Sequence, residues 1–151
     1  MSNSQAKRIQ YPAAIRRCSG NEYLVCFRNL PGTNTSGATL AEAKMEAADA
    51  LGSAIAQRIA DRDLVAAPSR PARGEQMIPV PLWIAGKRAV YLAMREAGIA
   101  NVALAKRLGV TEAVVRRLLD PGHETKERKL TAALAALGRE LVMAVVPGKV
   151  A

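Results

Sequence analysis

Apolar residues dominate two β-rich stretches near the start of the chain, residues 9–17 and 22–28. Residues 19–21, Ser-Gly-Asn, lie between them, and the pair Gly20-Asn21 suits a two-residue turn. The pattern predicts an antiparallel hairpin, followed by a short Thr-rich third strand at residues 33–36. Side chains alternate between the two faces of a strand, so one face of the second strand is expected to meet a core. The residues on that face are Tyr23, Val25 and Phe27.

The spacing of apolar residues then changes to three or four, which predicts a helix up to about residue 61. Thr39 and Glu42 have the spacing of a capping box at its start. The residues expected to face the sheet are Leu40, Ala43, Ala47, Leu51, Ala54 and Arg58. Residues 77–81 contain two prolines, which favour an extended backbone and remove hydrogen-bond donors. They are therefore predicted to form an edge strand.

From residue 82 onward the pattern is helical, with glycine stops after two of the helices. The predicted helices cover residues 82–97, 101–108, 112–119 and 126–137. The fold class is therefore α+β: a small antiparallel sheet with one long helix, then an all-α part. We place the domain boundary between residues 1–81 and 82–151. The apolar segment 140–146 has no obvious partner in its own chain, and we expect it to pair with a second copy in a dimer.

The chain of 151 residues has a formal net charge of +9, half of its residues are hydrophobic and 23% are charged. This composition is typical of a globular protein. Residues 1–81 contain ten Lys or Arg against seven Asp or Glu, whereas residues 82–151 contain twelve against six. A basic C-terminal half suits a polyanionic partner.

Several functions are disfavoured. No unbroken apolar run approaches the roughly 20 residues that span a bilayer, and no secretory signal is recognisable, so we expect a cytoplasmic protein without membrane contact. In the predicted hairpin, Cys18 would lie opposite Tyr23 and Cys26 opposite Ile15, too far apart for a disulfide. These two thiols and His123 cannot complete a four-ligand zinc site. We expect both cysteines to be small apolar strand residues, and we expect no metal and no cofactor.

Residues 101–119 have the pattern of a helix-turn-helix. Ala105 is small where the two helices must cross, Gly109 stands where the turn needs a positive φ, and Thr111 is placed to cap the second helix. The apolar residues that would hold the helices together are Leu104, Leu108, Val110, Val115 and Leu118. The segment therefore predicts binding to double-stranded DNA, with the second helix in the major groove.

Arginine can contact guanine through two hydrogen bonds, so Arg116 and Arg117 are the candidates for reading the sequence. Phosphate contacts are expected from the first helix. The full set of predicted DNA-binding residues is Asn101, Lys106, Arg107, Thr111, Glu112, Ala113, Arg116 and Arg117. The alternative is that both arginines only solvate a packed helical hairpin.

The whole chain resembles the HicB family of antitoxins from type II toxin–antitoxin systems. The matching stretches are YPA at 11–13, YLVCF at 23–27, LPG at 30–32, GATLAEA at 37–43, LAKRLG at 104–109, LLDP at 118–121 and AALAALG at 132–138. The resemblance implies a decayed ribonuclease-H-like N-terminal domain that covers a HicA-type, mRNA-cleaving toxin, and a C-terminal domain that represses its own operon. It leaves the toxin-contact residues undefined. The N-terminal half is slightly basic, which argues against mimicry of RNA charge.

Two other functions remain open. A free-standing transcription regulator could sense a different partner or ligand through its N-terminal domain. An active nuclease would need converging carboxylates, but Glu42, Glu46 and Asp49 are simplest as a solvated helix face, so we expect no catalysis and no catalytic residue. His123 is expected to be structural or exposed, and Trp83 to pack between the domains.

Overall fold

The computed structural model describes residues 8–148. Its elements are β1 (Gln10–Arg17), β2 (Tyr23–Phe27), β3 (Asn34–Gly37), α1 (Leu40–Ala60), β4 (Glu75–Pro79), α2 (Leu82–Ala97), α3 (Asn101–Leu108), α4 (Glu112–Leu119) and α5 (Glu127–Ala136). The predicted α+β class is confirmed, because an antiparallel sheet with one long helix precedes four further helices. No helix within the described residues is long and apolar enough to cross a membrane.

The four strands form one sheet in the order β3-β2-β1-β4, so the proline-containing β4 is an edge strand as predicted. The predicted inward face of β2 is also confirmed, since Val25 and Phe27 are buried. The hairpin register was predicted one residue out. Arg17 pairs with Tyr23, and Cys26 pairs with Ala14 instead of Ile15. The cause is the turn, which uses three residues and contains positive φ values at Gly20 and Asn21.

The register places the two thiols differently from the prediction. Cys18 lies just beyond β1 and is exposed, with its amide donating to Glu22 O (2.7 Å). Cys18 is therefore not a buried strand residue, whereas Cys26 lies within β2 and is partly buried. Both thiols are free.

The capping box at the start of α1 is present. Thr39 Oγ1 accepts from the Glu42 amide at 3.1 Å, and the Glu42 carboxylate accepts from the Ala38 amide at 2.9 Å. The predicted apolar stripe is correct at Ala43, Ala47 and Leu51, which are buried. It continues through Ile55 and Ile59, while Leu40, Ala54 and Arg58 are at least partly exposed. The buried face rotates around the helix because Ala43, Ala47, Leu51, Ile55 and Ile59 recur every four residues, whereas one turn takes 3.6.

The helix α2 belongs to both halves of the core. Ile84 and Tyr91 pack in the cluster between the sheet and α1, whereas Val90 and Met94 pack in a second cluster with α3, α4 and α5. The division at residue 81 therefore stays a prediction, and the helix that follows it is shared. Residues 139–148 form no helix or strand in the single chain, so pairing of segment 140–146 with a second copy also stays a prediction.

An ion pair joins the end of β2 to the edge strand. Arg28 donates to both carboxylate oxygens of Glu75, at 3.0 and 2.8 Å, and the Ala72 amide donates to one of them at 2.7 Å. Arg28 foremost, and Ala72 after it, lower the pKa of Glu75 from 4.5 to about 2.

This ion pair should contribute to acid stability. The folded-state pKa is depressed, so the stabilisation is present above pH 4.5 and is lost as the pH falls toward 2. We expect the free energy of unfolding of Glu75→Gln to vary less with pH in this window than that of the wild type. Urea titrations at several pH values between 4.5 and 2 measure this, and parallel curves for the two proteins would contradict it.

Candidate nucleic-acid interface

The helices α3 and α4 are joined by a short turn centred on Gly109. Gly109 has a φ of 65°, and the Val110 amide returns to Ala105 O at 3.0 Å, which closes the end of α3. Ala105 is buried where the helices meet, as predicted, and Leu104, Val115 and Leu118 are buried with it. Glycine adopts this left-handed conformation without the steric cost that other residues incur.

Two details of the predicted turn are wrong. Val110 is 39% exposed and does not hold the helices together. Thr111 is the N-cap residue of α4, but its side chain makes no capping hydrogen bond. The first-turn amides of α4 are therefore not occupied by the Thr111 hydroxyl, and a phosphate could approach them.

The outward face of α4 carries its charges. Arg116 and Arg117 are both exposed. Arg116 donates to Glu112 Oε2 at 2.6 Å in an i,i+4 ion pair, with the arginine side chain 64% exposed. This hydrogen bond is the main reason that the pKa of Glu112 lies below its usual value, and the nearby Asn101 and Arg62 act in the same direction. Such an exposed pair is weak enough to open in favour of a ligand.

A cleft of about 850 Å³ lies beside α4 and brings most of the predicted residues together. Those that line it are Asn101, Glu112, Ala113, Arg116 and Arg117. Lys106, Arg107 and Thr111 are exposed but lie outside this cleft. Arg107 has a structural contact as well, because its guanidinium donates to Ala136 O at the end of α5 (3.2 Å).

A buried lysine, which the sequence analysis did not single out, fixes the far end of α4. Lys87 on α2 is 3% exposed, and its ammonium group donates to oxygens that follow the helix. Four oxygens lie within hydrogen-bonding distance of its three N–H groups: Leu118 O (3.0 Å), Asp120 O (2.6 Å), His123 O (2.6 Å) and Thr125 Oγ1 (3.0 Å). A cation at a helix C-terminus complements the helix dipole and satisfies its last carbonyls. Burial lowers the pKa of Lys87, and the Asp120 carboxylate opposes that shift.

The cleft also contains arginines that the sequence analysis missed. Arg62, just beyond α1, and Arg95 on α2 line its opposite wall. The sequence signal that could have drawn attention to Arg62 is the segment Asp61-Arg62-Asp63, because α1 ends there without the glycine that ends α2 and α3.

The remaining candidate residues, His123 and Trp83, lie away from the outward face of α4 and contact other parts of the fold. His123 is exposed, and its backbone oxygen accepts a hydrogen bond from the Lys87 ammonium group. Trp83 lies against Gly52 of α1, where an added Cβ would come within 2.9 Å of the indole ring, but the residue is 52% exposed, and its packing between two domains stays a prediction. Among residues 8–148, no group of three His, Cys, Asp or Glu side chains could hold a metal ion.

The fold and this surface define a class of protein: an α+β chain whose sheet domain is followed by a basic helical hairpin. Comparison with known proteins then gives the family. Residues 10–89 match the family described as HicB_like antitoxin of bacterial toxin-antitoxin system. The chain belongs to this family of HicB-like antitoxins, which implies an antitoxin role and a toxin partner.

Full-length relatives agree with this family. The chain is 33% identical over 138 residues to Antitoxin HicB of Escherichia coli (strain K12), covering 91% of this chain and all of that protein. It is 32% identical over 141 residues to Antitoxin HicB of Pseudomonas fluorescens (strain Pf0-1), covering 91% and 94%. It is 30% identical over 139 residues to Antitoxin HicB 1 of Photorhabdus laumondii subsp. laumondii, covering 92% and 88%.

Proposed function

We propose that this protein is an antitoxin with two activities. Its N-terminal part neutralises a HicA-type ribonuclease toxin, and its α3–α4 hairpin, acting as a helix-turn-helix, binds the operator of its own operon and represses it. Both activities belong in the bacterial cytoplasm. The protein itself is not an enzyme in this proposal.

One observation carries the DNA-binding half of the proposal. The outward face of α4 presents Arg116 and Arg117 to solvent, while Val115 and Leu118 on its other face are buried. A helix presented in this way can enter a major groove, which is about 12 Å wide. The crossing helix α3 would then lie over the phosphate backbone with exposed Lys106.

A single hairpin seldom binds an operator tightly, so we propose a homodimer or a higher oligomer. Two copies of α4 would then be spaced about 34 Å apart, or a multiple of that distance, on a palindromic site. The apolar segment 140–146, in which Val142 and Met143 are well exposed, is the proposed dimer contact. A truncation ending at Gly138 that stayed dimeric would contradict this assignment.

Two measurements on the full chain test the proposal. Co-expression with the product of the adjacent small gene should rescue growth that this product alone arrests. Titration against DNA from upstream of the operon should give tight binding with a steep salt dependence, because each neutralised phosphate contributes about −0.9 to the slope of log K against log salt.

The outcomes separate the two activities. Growth rescue without DNA binding would leave only the toxin-neutralising function. Specific DNA binding beside a harmless neighbour, or with no neighbouring gene at all, would instead indicate a free-standing transcription regulator.

A further inference from the structure

The corner at the end of α1 has an unusual backbone. Arg62 has a φ of 57°, in the left-handed region that favours glycine. Among residues 8–148, three of the other four helices, α2, α3 and α5, end with a glycine in this conformation, at Gly98, Gly109 and Gly138. An arginine is strained at such a position, and here the conformation closes α1, because the Arg62 amide donates to Ile59 O at 3.2 Å and the Asp63 amide donates to Arg58 O at 2.8 Å.

Helix α2 holds this corner in place. Arg95 Nη1 donates to Arg62 O at 3.3 Å, and the Tyr91 hydroxyl donates to Asp63 O at 2.6 Å. The Arg95 guanidinium also lies over the Tyr91 ring, 5.6 Å from its centroid. The backbone of Arg62 is therefore fixed to the same helix whose Lys87 holds α4, so the corner and α4 have a common support.

The Arg62 side chain lines the cleft across from α4. It is exposed, and none of the salt bridges among residues 8–148 includes it. The lining contains four arginines, at positions 62, 95, 116 and 117, against two carboxylates, Glu112 and Asp120. Glu112 is already paired with Arg116, so the positive charge of the cleft is in excess.

We propose that Arg62 contacts a phosphate of the DNA strand that borders the groove entered by α4, which makes the N-terminal half a direct part of the DNA-binding surface. The inference rests on the DNA-binding function proposed above. A helix in a major groove has a phosphate backbone on either side, and a cation beside that helix faces one of them. Arg62 lies beside α4, on the wall of the cleft formed by the end of α1.

Duplex DNA fits this cleft better than a small ligand does. Pockets for small molecules bury most of the ligand and place polar groups within an enclosed site. Here Arg62, Arg116 and Arg117 are all exposed on the walls, which suits an extended polyanion. The cleft is also continuous with the outward face of α4, because Ala113 and Arg117 line it.

The substitution Arg62→Gly tests the proposal sharply. It removes the charge and the backbone strain together, so the melting temperature should stay the same or rise. Affinity should nevertheless fall by about 3- to 10-fold, equally for operator and unrelated DNA, and the salt slope should decrease by about 0.9. Arg62→Lys should keep the wild-type slope. Arg16→Ala, an exposed arginine on β1, removes the same charge away from the cleft and should leave binding unchanged.

Each outcome has one interpretation. Unchanged or tighter DNA binding by Arg62→Gly, while Arg117→Ala loses operator binding, would overturn the role of Arg62 and leave the proposed function intact. An equal loss in Arg16→Ala would also overturn it, because the effect would then be one of net charge. If the wild-type chain binds no DNA in the same titration, the proposed function fails and this inference fails with it.

Discussion

The variant Lys87→Met should lose about 3 kcal/mol of stability and most of its DNA affinity. Methionine keeps the apolar length of lysine and fills the same space, but it donates no hydrogen bond. The carbonyls of Leu118, Asp120 and His123 would then lose the ammonium group that they share. A buried acceptor left without its donor costs about 1–3 kcal/mol, and two of these carbonyls have other amide or hydroxyl donors that moderate the total.

The expected loss of DNA affinity is indirect and comes from the position of Lys87 behind the end of α4. Lys87 lies on α2 and is buried, so it touches no DNA, and its effect must act through the end of α4 and the loop behind it. Urea unfolding followed by the fluorescence of Trp83, the single tryptophan, measures stability. Lys129→Met removes the same charge from an exposed site and serves as the control. A Lys87→Met protein within 0.5 kcal/mol of wild type, by the usual range of neutral surface changes, would show that the cap is not needed.

The double variant Arg116→Ala/Arg117→Ala should lose sequence discrimination and keep its fold. Both side chains are exposed, and within residues 8–148 the only ion pair broken is the weak one between Arg116 and Glu112. A bidentate arginine–guanine contact contributes about 1–3 kcal/mol of discrimination, so losing two should reduce the preference for operator over unrelated DNA by about 30-fold or more.

Lys106→Ala is the matched comparison on α3. Its exposed side chain is assigned to a phosphate, so it should weaken binding to all DNA about equally and leave the preference unchanged. Competition titrations with operator and scrambled duplexes measure both quantities. A double variant that keeps its preference would show that α4 does not read the bases, and that the arginines only solvate the hairpin.

Local patterns in the sequence predict most of the elements. Short-range signals are visible in the sequence because each acts over a few residues. They are the capping residues at 39 and 42, the glycines at 98 and 109, and the two-residue repeat that places Val25 and Phe27 on one face of β2. The hairpin register was one residue out because two-residue and three-residue turns use the same residue types. The drift of the apolar face toward Ile59 was missed because the predicted stripe kept the 3.6-residue period of a straight face, whereas the buried residues recur every four.

The site was predictable only in part, for a different reason. The outward residues of α4 follow from the period of one helix, and Arg116 and Arg117 are exposed as expected. Lys87 contacts residues 31 or more positions away, and Arg62 belongs to the site only because the fold brings the end of α1 to the cleft beside α4. Neither arrangement is visible in a local sequence pattern. Lys87 does leave a trace: it lies on α2 between the buried Ile84 and Tyr91, where a charge needs partners.

The sharing of α2 between the two hydrophobic clusters has a consequence for any attempt to separate the activities. A fragment that begins at residue 82 would carry Ile84 and Tyr91 into water, and a fragment that ends at residue 81 would lose these two side chains from the core between the sheet and α1. Neither piece would behave as an independent module. Heating should accordingly melt the molecule in one step, because both hydrophobic clusters depend on the same helix.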